Sequence, residues 1–162
     1  MRRCCALAFA VSIGVPCVAQ TTAKEAQELA AYPLTMDHVT RHYQTLMDLA
    51  RQQQQEAVLK RDLQSWSRLP LDQQVRLYET NTKTAAILKA HGITARDQVM
   101  TQTALMALMI ALPSIEGKKG PNASNKLQFD ASSADHVKFY RDHQAEITKL
   151  GAELVDVALG KK

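Results

Sequence analysis

The stretch His38-Val39-Thr40-Arg41-His42 sets two imidazoles four residues apart. On a helix that spacing puts them on one face, one turn apart, which is a metal-ligand arrangement. A zinc-protease helix also needs a glutamate directly after the first histidine, to activate water. Valine stands there, so that chemistry is excluded. His136 and His143 lie two turns apart further along, beside Asp135 and Asp142. If the helices carrying these pairs touch, His38, His42 and His143 could converge on a metal ion. A noncovalent haem is a related arrangement, held by Met36, Met47, Met100 or His143. Covalent attachment is excluded, because no Cys-x-x-Cys-His occurs. The apolar stripe through Val39 and Tyr43 favours a plainer outcome. It places His38 and His42 on its flank, where solvent or neighbouring side chains satisfy them, and no cofactor is expected.

The remaining chemistry is equally restricted. Cys4, Cys5 and Cys17 are the three cysteines, and all lie in MRRCCALAFAVSIGVPCVAQ. This opening runs from two arginines through an apolar core to small residues at Cys17 and Ala19, the order of a secretory signal peptide. Cleavage after Ala19 would remove every thiol, leaving neither a disulfide nor thiolate chemistry. The apolar core is shorter than the roughly 20 residues a membrane span requires. Proline before Cys17 disfavours lipid attachment. The chain has no serine in a glycine elbow and no phosphate-cradling glycine loop. Asp97, Glu116 and Asp130 read as caps and loop charges. The expectation is a protein without catalytic residues.

A binding surface has more support. Residues 113–131, PSIEGKKGPNASNKLQFDA, are rich in glycine, proline, asparagine and lysine, which predicts a long loop. Lys118, Lys119 and Lys126 sit there with Phe129, a combination suited to an acidic partner or an anionic surface. The partner expected is a protein or an envelope component. Nucleic acid is not expected: two of the 20 basic residues, Arg2 and Arg3, leave with the signal, and the rest nearly balance 16 acidic ones.

The elements that would carry these groups are helical. The chain has 162 residues, and residues 20–162 suffice for one domain. Glycine and proline are sparse outside the loop, and no strand-type alternation appears. Residues 20–31 suggest a short first helix, stopped at Tyr32-Pro33-Leu34. Thr35 looks like an N-cap for a helix that reaches to about Trp66, with Met36, Val39, Tyr43, Leu46 and Ala50 as its apolar stripe. A second stripe runs Leu71, Val75, Tyr78, Thr82, Ala85 and Leu88, closed by His91-Gly92. Thr94 to Asp97 caps a third helix, whose run ALMALMIAL at 104–112 has no polar face and should be the buried centre. Ser132 or Ser133 caps the last helix, with Val137, Tyr140, Ile147, Leu154 and Ala158 in its stripe. The predicted architecture is all-α, a bundle of about four main helices in a single domain spanning 20–162.

Three stretches resemble small uncharacterised exported proteins of proteobacteria: Tyr32-Pro33-Leu34-Thr35, His91 to Asp97, and Val137 to Ile147. The resemblance implies a helical, signal-bearing chain, periplasmic or secreted, and supplies no catalytic residue. The chain is also similar in part to Spy-type periplasmic chaperones, which carry Leu-Thr-x-x-Gln motifs. Leu34-Thr35-Met36-Asp37-His38 begins that way but has histidine in the glutamine position. Leu69-Pro70-Leu71-Asp72-Gln73 has the glutamine and lacks the threonine. That likeness implies chaperone activity as an alternative to specific binding.

Overall fold

In a computed structural model the described residues are 22–66, 69–115 and 133–161. They form seven helices and no strand: α1 (Ala23–Ala31), α2 (Met36–Gln55), α3 (Ala57–Trp66), α4 (Leu71–Thr80), α5 (Thr82–Ala90), α6 (Ala95–Ile115) and α7 (Ala134–Ala158). The fold is all-α. Among the described residues no helix is long and apolar enough to cross a membrane.

Local signals set most of the boundaries. Thr35 caps α2, its hydroxyl accepting the His38 N–H at 3.2 Å. Ser133 caps α7 through the His136 N–H at 3.1 Å. Thr94 accepts the Asp97 N–H at 3.0 Å at the start of α6. In α1, Thr22 and Glu25 satisfy each other's backbone N–H groups in a capping box.

Glu25 has a second role that sequence reading missed. Pro70, ahead of α4, offers no side-chain cap. Glu25 Oε1 instead accepts the Leu71 N–H from across the fold at 3.0 Å. Burial alone would raise this carboxyl, but the Thr22 and Leu71 N–H groups outweigh it and hold it below its ordinary value.

Two expected helices are broken. The 36–66 segment interrupts at Glu56, whose backbone is extended. The second stripe interrupts at Asn81, also extended, which ends α4 and caps α5 by accepting the Lys83 and Thr84 N–H groups. Thr84, fully buried, donates to the Tyr78 and Asn81 carbonyls and seals the joint. Where a loop is expected from 113, α6 continues through Pro113 to Ile115. Residues 116–132 lie outside the described residues.

The core has two parts. One joins Leu29, Leu49, Trp66, Tyr78, Leu88 and Val99. Trp66 meets Tyr78 edge to face, with ring centres 5.6 Å apart and planes at 67°. The other joins Leu34, Val39, Ala104, Leu105, Leu108 and Ile147. Helices α2 and α7 pack extensively and run parallel. His136 reaches Tyr32 at their N-terminal ends. Gly151 backs onto the Tyr43 hydroxyl midway. Gln54 donates to the Val157 and Ala158 carbonyls at 2.8 and 3.2 Å at their C-terminal ends. Parallel neighbours need a long crossover, and α3 to α6 supply it.

Gly92 shows what one tight turn requires. Its φ of +62° lies in the left-handed region, and a Cβ there would fall 2.7 Å from Arg41 Nη1. That nitrogen donates to the Gly92 carbonyl at 2.7 Å, fixing the turn before α6 against α2. Gly92→Ala should cost at least about 1–2 kcal/mol from the backbone alone, read as a lower urea midpoint. An unchanged midpoint would mean the turn does not need glycine.

Candidate functional site

Polar groups converge on Tyr32, in the break between α1 and α2. The Tyr32 hydroxyl lies 3.1 Å from Thr101 Oγ1, 3.2 Å from His38 Nδ1 and 3.3 Å from Asp97 Oδ1. The His38 ring stacks on the tyrosine, centroids 5.5 Å apart. His38 Nδ1 is also 3.1 Å from the Pro33 carbonyl, which can only accept. That fixes the proton on Nδ1 and leaves Nε2 as the acceptor edge of the ring. The phenol then donates to Asp97, as an acid next to a carboxylate must. Burial, with the field of Asp97 beside it, pushes the Tyr32 phenol up to about 12, against the bond from Thr101. It stays a donor throughout the physiological range.

The same residue holds α7. His136 Nε2 lies 2.6 Å from the Tyr32 carbonyl, so that nitrogen carries a proton and donates. His136 is buried, and its Nδ1 has no hydrogen-bond partner. Tyr32 therefore joins the α1–α2 break, the first turns of α6 and the start of α7.

The histidines weighed as metal ligands do not share surroundings. His38 belongs to the Tyr32 group. His42, expected on the flank of α2, is 3 % exposed and faces α6. His143 rests against Phe139 with ring centroids 4.8 Å apart, and its Nδ1 is 3.8 Å from Glu146 Oε1. Among the described residues no group of three or more His, Cys, Asp or Glu side chains could hold a metal ion. Met100, weighed as a haem ligand, is buried in the cluster around Trp66. Lys118, Lys119, Lys126 and Phe129 lie outside the described residues.

His42 was misplaced because α2 is buried on two sides. Val39 marks the apolar stripe that the sequence displays. A second buried stripe follows His42, Thr45 and Leu49, and two of its three members are polar. From α6, Gln98 faces His42, close enough to favour its protonation slightly but not aligned for a hydrogen bond. Thr45 and Gln98 are fully buried, and neither Thr45 Oγ1 nor either Gln98 amide atom has a partner. An unpaired buried group of this kind costs about 1–3 kcal/mol.

No protein-family model, no curated protein and no solved structure matches this chain. What the chain can do is read from these residues.

Two outcomes follow. Burial lowers the His42 pKa from 6.5 to about 4. Between those values the unfolded chain takes up a proton that the folded one refuses, so stability falls as pH drops. The loss from this residue should total about 3 kcal/mol between pH 6.5 and pH 4, with no further loss below. Urea titrations across that range would measure it, and His42→Leu should flatten the slope. Separately, Tyr32→Phe removes the bonds to Asp97 and Thr101 and should cost about 1–3 kcal/mol. It should also speed hydrogen exchange in the first turn of α6, where Asp97 lies, and unchanged exchange there would show that the phenol does not secure that helix.

Proposed function

We propose that this is an exported helical protein that works by noncovalent binding. Residues 1–19 are removed as a signal peptide, and the mature chain is periplasmic or secreted. Its bundle has four principal bodies: α2 with α3, α4 with α5, α6, and α7. The bundle presents the end of α6, and the segment after it, to an acidic protein partner.

The observation carrying this reading is Met109. It is 65 % exposed, yet it stands within a run of nine apolar residues. A helix that is apolar all round needs cover on every side. Ala104, Leu105, Ala107 and Leu108 have that cover and are buried; Met109, one residue on, does not. Covering such a side chain is favourable by roughly 1.5–3 kcal/mol. Lys118, Lys119, Lys126 and Phe129 follow in the sequence and supply positive charge and a second apolar anchor. An acidic segment with one large apolar side chain complements both.

Deleting residues 117–126 and, separately, Met109→Lys should each leave the thermal transition in place. Each should weaken capture of an acidic, apolar-anchored peptide at least tenfold in a binding titration. If the deletion lowers the transition and spares capture, the segment covers α6 itself and the reading fails. Suppression of aggregation of many unfolded clients, equal in both variants, would favour the chaperone alternative.

A further inference from the structure

The crossing of α2 and α6 holds more unpaired polar atoms than a dry core can carry. His42 Nδ1, Thr45 Oγ1, Gln98 Oε1 and Gln98 Nε2 all lie out of reach of solvent without a hydrogen-bond partner. Their residues are 3 %, 0 % and 0 % exposed. His42 and Thr45 are one turn apart on the same side of α2, and Gln98 meets His42 from α6. His42 and Gln98 therefore meet, and Thr45 follows His42 on the same side of α2. Left unsatisfied, their combined penalty would be comparable to the stability of a whole small domain.

The surroundings define what could satisfy them. Leu49 and Val99 of one core cluster and Val39 and Leu105 of the other lie on these two helices and are buried, so hydrocarbon flanks the crossing. Burial and Gln98 alone act on His42, with no charged group beside it, which disfavours a charged occupant. Gln98 needs both a donor and an acceptor opposite it, and the Thr45 hydroxyl can use either. The occupant must be small, neutral, and able to donate and accept at once.

We propose that His42, Thr45 and Gln98 form an internal hydration site, taking one or two water molecules that bridge α2 to α6. Buried water makes about three hydrogen bonds to polar groups otherwise unpaired, and these three side chains offer four. A water donating to Gln98 Oε1 and to the Thr45 oxygen or the His42 ring satisfies acceptors. A water accepting from Gln98 Nε2 satisfies the donor. The bridge explains why α2 carries a polar stripe against α6 where leucine would pack. It is independent of the binding reading, because it lies in the core and away from Met109.

The test is a crystal structure of the protein at about 1.5 Å, with ¹⁷O relaxation dispersion in solution. The expected result is isolated density within hydrogen-bond distance of the Gln98 amide and the Thr45 hydroxyl, and a long-lived water signal. That signal should fall by one or two molecules in the double variant T45V/Q98L. Gln98 bonded directly to His42 with no density between them would overturn the proposal. So would a wild-type dispersion amplitude of zero. The wild-type measurements decide the matter even if the double variant does not fold.

Discussion

Helix α2 is enclosed on nearly every side, and the rest of the structure follows from that enclosure. Up to Arg51 the exposed positions recur seven apart, at Asp37, Gln44 and Arg51, and Gln54 and Gln55 are exposed at the helix end. The positions between them face a neighbour at least in part. Val39 goes to the cluster shared by α6 and α7, and Leu49 to the one around Trp66. A helix so placed needs partners on several sides, and the chain supplies them by wrapping. That arrangement brings α7 back alongside α2 only after the long excursion through α3 to α6.

The ends of that pairing are fixed by polar contacts. At one end the Tyr32 carbonyl takes a hydrogen bond from His136; at the other the Gln54 amide takes up the last carbonyls of α7. Helix ends carry backbone groups that the helix cannot pair internally. Satisfying them from a neighbour fixes axial position, which apolar packing does weakly because one leucine resembles another. The same logic applies to Glu25 at the start of α4.

What the sequence made legible was local. Thr35, Ser133 and the Thr94–Asp97 pair lie within three residues of the N–H groups they serve. Gly92 marks its own turn. The apolar stripe of α2 shows in the spacing of Val39 and Tyr43. The second stripe was hidden because His42 and Thr45 count as polar in any hydropathy pattern, and only the position of α6 makes them interior. Asn81 could have been read as a cap, since Asn-Thr-Lys interrupts the stripe. Its neighbours kept helical spacing across the joint, so one helix was expected instead of two. The contacts of Tyr32 were beyond reach, as they join residues separated by 65, 69 and 104 positions. The all-α class was sound because composition and periodicity both bear on it. The histidines form a candidate set by spacing along the chain, and three-dimensional placement assigns each a different neighbour.

The parallel course of α2 and α7 has a consequence in time. A ribosome emits Tyr32 long before His136, and the two lie 104 residues apart. At about 5–20 residues per second that interval is roughly 5–20 s. For all of it, the side of α2 that will meet α7 has no native cover. A chain that emerges N-terminus first therefore passes through a stage in which that apolar surface is open to its surroundings. The pairing of α7 with α2, and not the making of the first helices, is the event that completes this part of the fold.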